Sequence, residues 1–355
     1  MEAFRQTSMY LNQSGALGVP AFPNLATMAA VDGAHPPSDL LVADLAPLVP
    51  CDMRRSQLHY SVLRGLGYIF GAIPGWYVLL VEPIVRNRSH PEATVSHSGV
   101  CMRIDFDDFV QRKHYFRAYE RRELRFLRRF LREGDMAVDV GANVGVLTMQ
   151  MARAVGGTGR VVAVEPVPQN LARLRINAAL NPSFRVEILP IAASAAPGTI
   201  RLGRASEEIK RGNYGAYSAG ETTELEVAAR PLDDAIVDHI QEAGRVRLLK
   251  IDVEGMEDSV LEGSRQLLES HLIDAVVFEL NPSMIGDQGA IAILTRYGYK
   301  ISVLGMGASL RPMTEKLLTL PRSKTSRAPA RTVLGTVRRW LRGEIRLYTL
   351  VATIE

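Results

Sequence analysis

The sequence predicts an α/β fold built on a mostly parallel sheet, and three stretches predict it. Met136-Ala137-Val138-Asp139-Val140 is a short apolar run of the kind that makes a strand buried on both faces. Gly141-Ala142-Asn143-Val144-Gly145 follows, then Val146, Leu147, Met149 and Met151 with polar residues between them, so the stretch reads strand, tight turn, helix. Two more apolar runs that end in an acid, Arg160–Glu165 and Val246–Asp252, repeat the strand half of this unit. Open sheets of this class bind ligands beyond the carboxyl ends of their strands, so the acids mark one rim.

Composition sets the frame. With 355 residues, 47% hydrophobic and 23% charged, the chain suffices for one large domain plus an appendage. The net charge of +4 fits an anionic substrate or membrane surface and does not demand nucleic acid. Cys51 and Cys101 stand in different contexts, which argues against a disulfide framework and against a cysteine metal site. The start, MEAFRQTSMYLNQ, lacks a basic segment followed by an apolar core, so no secretory signal is read and a cytoplasmic protein is expected.

In chain order, residues 1–50 read as a flexible arm rich in Ala, Pro and Gly. Residues 51–106 read as an apolar, helical and strand appendage. Within it Leu66–Val81 carries no charge, is too short to span a bilayer, and is broken by Pro74-Gly75. It reads as core segments packed on the main domain. The sharper reading is a hairpin that touches a membrane or a lipid-linked substrate, with Tyr68, Trp76 and Tyr77 at the interface. Thr94–Phe109 alternates like a strand. Tyr115–Arg132 then reads as one amphipathic helix, with Tyr119, Leu124, Leu127 and Leu131 on one side and six arginines on the other. Those arginines read as a solvated face paired with Glu120 and Glu123, contact with an anionic surface being the second reading.

Beyond the second strand come a helix over Leu171–Leu180, a third strand over Val186–Ile191, and a Gly/Ser/Tyr loop over Lys210–Glu221 that suits stacking on a sugar or ring. Leu225–Ala229 reads as an edge strand and Leu232–Ile240 as a short helix. Val246–Asp252 and Ala275–Leu280 are the fourth and fifth core strands. Gly298–Leu304 and Arg346–Ile354 complete the sheet as an antiparallel pair. Between them, about residues 321–343 form a basic insertion with Trp340. A charge run is usually solvated; the sharper reading sets it, with the apolar N-terminal segment, against an anionic membrane or a polyanionic glycan.

The chemistry concentrates on the rim. The glycine spacing is D-x-G-x-x-x-G, not the G-x-G-x-x-G that lets a pyrophosphate approach, and Asp139 before the turn suits a cationic or hydroxyl-bearing ligand. Glu165 lies 20 residues after Gly145, the distance at which an acid meets a ribose diol in nucleotide-binding α/β folds. Asp139, Glu165, Asp252 and Glu279 all fall at or near strand ends. Like charges gathered there raise each other's proton affinity or require a cation.

The stretches DVGANVG, VVAVEPVPQN, LLKIDVEGMEDSVLEG and VVFELNP, in this order, resemble the FkbM-type family of S-adenosylmethionine-dependent methyltransferases over roughly Asp107 to Pro282. The resemblance implies a Rossmann-like class I methyltransferase fold over residues 107–355, with a mostly parallel seven-stranded sheet, helices on both faces and an antiparallel C-terminal strand. It implies S-adenosylmethionine as donor and O-methylation of a sugar, glycan or secondary-metabolite hydroxyl. Asp139, Gly141, Asn143, Gly145, Glu165, Ile191 and Ala192 are then the expected cofactor residues, with Asp139 near the methionine end and the two glycines making room for the donor. Asp252, Glu254 and Glu279 are the expected catalytic residues, Asp252 as base or acceptor-orienting group. The sulfonium would be the cation the rim requires; a divalent metal held by Asp252 and Glu279 is the other option. The Tyr119-Glu120 pair is expected over the pocket, and His239 is read as structural. Methylation of nitrogen in a small molecule or RNA would call for an Asn/Asp-Pro-Pro-aromatic run where Asp252-Val253-Glu254-Gly255 stands. A non-catalytic glycan- or membrane-binding module on a decayed fold is the reading from another class.

Overall fold

The structure, a computed structural model, describes Tyr77, Val81, Val85 and residues 92–97, 99–203, 218–219, 225–280, 287–305, 309–313 and 348–354. The 1–50 arm, most of Leu66–Val81, most of the Lys210–Glu221 loop and the 321–343 insertion lie outside the described residues.

The chain opens with an antiparallel hairpin, β1 (Ala93–His97) and β2 (Val100–Ile104), followed by helices α1 (Phe109–Tyr115) and α2 (Arg121–Phe130). The repeating unit then begins: β3 (Met136–Val140), α3 (Val146–Val155), β4 (Arg160–Val164), α4 (Pro168–Ala179) and β5 (Val186–Leu189). Strands β6 (Ala192–Ala193), β7 (Gly198–Gly203), β8 (Ser218–Ala219) and β9 (Leu225–Arg230) leave the main sheet and make a four-stranded sheet of their own. The chain returns through α5 (Leu232–Ala235) and α6 (Val237–Ala243) to β10 (Leu248–Ile251). It then continues with α7 (Glu257–Glu262), α8 (Arg265–Glu269), β11 (Ala275–Leu280), α9 (Asp287–Arg296), β12 (Lys300–Leu304), β13 (Leu310–Pro312) and β14 (Tyr348–Thr353).

The main sheet runs β13-β12-β14-β11-β10-β3-β4-β5. Strands β5, β4, β3, β10 and β11 are parallel; β14 pairs antiparallel with β11 and β12, and β12 with β13. These are the seven strands expected of a class I methyltransferase fold, plus β13 as a short eighth at one edge. Chain order reverses between β3 and β10, so the crevice beyond their carboxyl ends is where a ligand is expected.

Alternation along the strands supplies both faces of the sheet. Val138, Val140, Leu249, Ile251, Val276 and Phe278 pack on one side with Leu232, Val260, Leu261, Leu268 and Leu294 from the helices there. Ala137, Val161, Leu248, Ala275 and Val277 pack on the other with Phe126 and Leu127 of α2 and Leu147 and Met151 of α3. The hairpin is tied down by amides of α4 and its C-terminal turn. Asn177 Oδ1 accepts from Arg103 N at 2.8 Å, and Asn181 Oδ1 accepts from Cys101 N at 2.9 Å while its Nδ2 donates to Cys101 O at 2.7 Å. That arrangement satisfies a strand edge that would otherwise present bare backbone groups.

Four local expectations change. The single helix expected over Tyr115–Arg132 is two helices, broken after Phe116 by a turn in which Arg117 (φ 62°) and Glu120 (φ 35°) are left-handed. Tyr119-Glu120 therefore sits in the turn and not on a helix. Leu225–Ala229 is the start of β9, central in the second sheet, where it pairs with both β6 and β7, and not an edge of the main one. The third strand ends at Leu189, which frees Ile191 and Ala192 from the main sheet. Leu232–Ile240 is split at Ile236, which is fully buried and whose backbone is non-helical. Tyr77, Val81 and Val85 are buried with Phe106, Phe116 and Val100, so the Leu66–Val81 run is core at both of its described positions, Tyr77 and Val81. No helix among the described residues is long and apolar enough to cross a membrane.

Candidate active site

A cavity of about 310 Å³ opens beyond the carboxyl ends of β3, β4, β10 and β11. The β3–α3 turn forms its floor. Gly141 N and Ala142 N both donate to Val164 O, at 2.9 and 3.1 Å, which bends the chain sharply off β3. Gly141 has φ +79°, and a Cβ there would stand 1.9 Å from the backbone oxygen of Asp252. What Gly141 makes room for is therefore the neighbouring strand end, not a ligand. Gly145 (φ +88°) likewise gives way to Leu174, whose Cδ1 would lie 2.5 Å from an added Cβ. Both glycines were expected to make room for the donor; the structure gives the space to protein atoms.

Glu165, at the end of β4, is 3% exposed. Its Oε2 accepts from Asn143 N at 2.7 Å; its Oε1 accepts from Val167 N at 2.9 Å and Asn170 Nδ2 at 3.1 Å. A carboxylate offers about four lone-pair sites, so three are engaged and one remains for a ligand. Burial raises its proton affinity, and the three donors oppose that. Asn143 itself is left-handed (φ 52°), with its Oδ1 accepting from Val144 N. Ile191, Ala192, Val167 and Leu202 make the adjoining wall apolar.

Across the cavity stand Glu120, Lys250, Asp252, Glu254 and Glu279. Lys250 is 7% exposed on β10, with its Nζ 3.2 Å from Asp252 Oδ2 and 3.5 Å from Asp139 Oδ1. Burial would discharge this amine, but Asp252, Asp139 and Glu120 together hold it well above the ordinary lysine range, so it is a fixed cation. Asp139 is fully buried, does not line the cavity, and accepts from Thr148 Oγ1 at 2.6 Å. Its place is behind the turn, as counter-ion to Lys250. Burial, then Asp252 and Glu123, push Glu279 up to about 8, with Lys250 opposing. Glu120 is raised well above the carboxylate range by burial, with Asp252 and Glu123 adding and Lys250 opposing; Tyr119 hydrogen-bonds it. Glu254 is left-handed (φ 52°). Glu257 Oε1 accepts from Val253 N and Gly255 N at 3.3 Å each and closes the loop that presents Asp252 and Glu254. Asn143, Glu120 and Glu254 are thus three non-glycine residues in left-handed backbone around one cavity, a pattern typical of sites where geometry is held against local preference.

Of the ten expected site residues, Gly141, Asn143, Glu165, Ile191, Ala192, Asp252, Glu254 and Glu279 meet in this cavity, while Asp139 and Gly145 lie behind it. His239 is elsewhere, 3.5 Å from Glu187. Among the described residues no group of three or more His, Cys, Asp or Glu is placed to hold a metal ion, so the metal option gains no support. Sequence reasoning missed Lys250 and Glu257. A lysine inside the apolar run Leu248–Ile251 was the available signal, since a lysine there is rarely buried without a partner.

Residues 139–301 match the methyltransferase FkbM domain. Methyltransferase 1 of Beauveria bassiana is 28% identical over 190 residues, covering 48% of this chain and 74% of that protein. Methyltransferase sdnD of Sordaria araneosa is 29% identical over 192 residues, covering 46% and 73%. Among solved structures, methyltransferase FkbM of Methylobacillus flagellatus is 20% identical with a TM-score of 0.34; the match covers 56% of this chain and spans about half, 49%, of that one. Aeropyrum pernix fibrillarin, crystallised with natively bound S-adenosyl-L-methionine, is 14% identical with a TM-score of 0.35, covering 63% and 80%. The methyltransferase FkbM match over residues 139–301, together with the methyltransferases among the relatives, makes this chain a methyltransferase.

Proposed function

We propose that the protein transfers the methyl group of S-adenosylmethionine to a hydroxyl of a sugar, glycan or secondary metabolite. The observation that carries this is the convergence of Asp252, Glu254 and Glu279 on the cavity that also holds the Asn143 turn and Glu165. When bound, the donor supplies an electrophilic methyl on a sulfonium.

The residues present fit such a donor. With Glu120 and Glu279 holding their protons at neutral pH, Glu165, Asp252 and Glu254 stand against Lys113 and Lys250 in the lining, a small negative excess that suits a ligand of net positive charge. The one lone pair that Glu165 keeps open suits a ribose hydroxyl, and the apolar wall of Val167, Ile191 and Ala192 suits a flat ring beside it.

A hydroxyl is a weak nucleophile at neutral pH, whereas a neutral amine needs no base before it attacks. Carboxylates of raised proton affinity therefore favour oxygen as acceptor. In this reading Glu279 would take the hydroxyl proton as the oxygen lone pair bonds to the methyl carbon, while the carbon–sulfur electron pair would leave on the donor's sulfur as a neutral thioether. Asp252, held by Lys250, orients the hydroxyl. Glu254 stands beside it in the mouth. Alignment of the acceptor supplies several kcal/mol of the barrier. The absence of an Asn/Asp-Pro-Pro run at Asp252–Gly255 also speaks against the nitrogen alternative.

The test is calorimetric titration of S-adenosylmethionine and S-adenosylhomocysteine into the full chain, then a screen of hydroxyl and amine acceptors with the methylated atom identified by NMR. Methyl ethers support the reading. Methylated amines alone, or no donor binding by folded protein, overturn it.

A further inference from the structure

Glu123 stands in the first turn of α2, where an acid ordinarily serves the helix dipole. From the sequence it reads as a partner of the α2 arginines, yet the structure turns it inward. Leu127, one turn on along the same side of the helix, is buried in the core, and Glu123 Oε1 accepts a hydrogen bond from Thr349 Oγ1 of β14. Thr349 is the antiparallel register partner of Glu279 on β11, so their side chains leave the sheet beside each other on one face. A second, small cavity of about 10 Å³ adjoins the main one where α2 meets β11 and β14. It shares Glu120, Lys250, Asp252 and Glu279 with the main cavity and adds Glu123 and Thr349. A space of that size is about one water across, so Glu123 and Glu279 face each other at short range. The buried Leu127 and Phe278 complete the lining, and little solvent screens one carboxyl from the other.

We propose that Glu123 is a positioning residue of the active site: pinned by Thr349, it sets its carboxylate against the far side of Glu279 and so makes Glu279, and not Asp252, the group that takes the acceptor's proton. This rests on the hydroxyl-acceptor reading above. Asp252 and Glu279 line the same main cavity with different neighbours, and where two acids of one site differ in their surroundings, the surroundings assign their roles. Asp252 Oδ2 has the Lys250 ammonium at 3.2 Å. The charged and titratable groups facing Glu279 are Lys250 and Asp252 at the end of β10, Glu254 in the loop after it, Tyr119 and Glu120 in the turn before α2, and Glu123 within α2; β14 contributes the Thr349 hydroxyl. Burial, then Asp252 and Glu123, raise the proton affinity of Glu279, and Lys250 opposes them. Asp252 is itself the rival for the proton, so Glu123 is the acid outside that pair that favours Glu279. A mere clasp of α2 onto β14 would need the Thr349 bond alone; it would not need that bond's acceptor to share a cavity with Glu279.

The experiment titrates Glu279 in the unliganded full chain by infrared difference spectroscopy. The protonated-carboxyl band is followed against pH, and each protein is compared with the same protein carrying Glu279→Gln, so that the difference isolates Glu279. Wild type should titrate near pH 8. Glu123→Gln, which keeps the shape and removes the charge, should lower the midpoint by about half a unit or more. Thr349→Val, which keeps the shape and removes the donor, frees Glu123 and should lower it likewise, while Thr349→Ser should restore it. Circular dichroism confirms the fold, and either variant decides alone if the other fails to fold. A midpoint that stays, rises or falls by less in a folded Glu123→Gln or Thr349→Val protein overturns the proposal. With an acceptor from the screen above, the rising limb of kcat/KM in Glu123→Gln should move by the same amount; a limb that stays in place while kcat drops marks a structural role and also overturns it. The infrared titration needs no turnover, so it can fail while methyl ethers still form, and it can succeed while the acceptor screen rejects methylation of a hydroxyl.

Discussion

Replacing Lys250 by Met tests the electrostatic design of the site. The ammonium lies 3.5 Å from Asp139 Oδ1 and 3.2 Å from Asp252 Oδ2, and Asp139 is fully buried. At an effective dielectric of about 20, the gross attraction to each partner is on the order of 5 kcal/mol. Desolvation offsets part of this in the wild type. Removing one partner leaves the desolvation of the other uncompensated, and such losses run to about 3–5 kcal/mol. Lys250→Met should therefore be less stable by about 3–5 kcal/mol at pH 7, read from urea unfolding. Without the lysine, Asp139 keeps its bond from Thr148 but loses the cation beside it. Adding Asp139→Asn should recover much of the loss, since the uncompensated charge is then gone. A deficit under about 1 kcal/mol at pH 7, or no recovery on adding Asp139→Asn, would refute the claim that Lys250 balances a buried carboxylate.

Glu279, pushed up to about 8, predicts that kcat/KM rises with pH toward that value in the free enzyme, because a base must be unprotonated to act. Glu279→Gln should remove the rise and lower kcat by about 10²–10⁴-fold, seen in a pH–rate profile. The same group predicts that the unliganded wild type loses stability as pH rises through about 8, with a flatter curve for the Gln variant in thermal melts. Glu165→Ala should weaken donor binding about tenfold or more by calorimetry, since it removes a charge-assisted acceptor and strands the Asn143 and Val167 N–H groups. Gly141→Ala should cost about 2–4 kcal/mol of stability in urea, because the new Cβ would clash with Asp252 O in a left-handed backbone.

The sequence by itself determined the core strands and the identity of the rim. Apolar runs of five or so residues ending in an acid, each followed by a turn or helix, allow few arrangements other than a parallel sheet with its acids at one edge. That was enough to bring Glu165, Asp252, Glu254 and Glu279 to one cavity. Only the tertiary structure decided what each group does there, because burial and pairing depend on residues far apart in the chain. Asp139 looked like a ligand group, yet Thr148 and Lys250 bury it behind the turn. Gly141 looked like space for a ligand, and Asp252 O, more than a hundred residues later, fills it. Helical periodicity ran on from Tyr115 to Arg132, but the left-handed Arg117 and Glu120 break it and put Glu120 at the cavity. Local spacing fixes which residues can share a face; which faces become core, cavity or surface is settled by what packs against them.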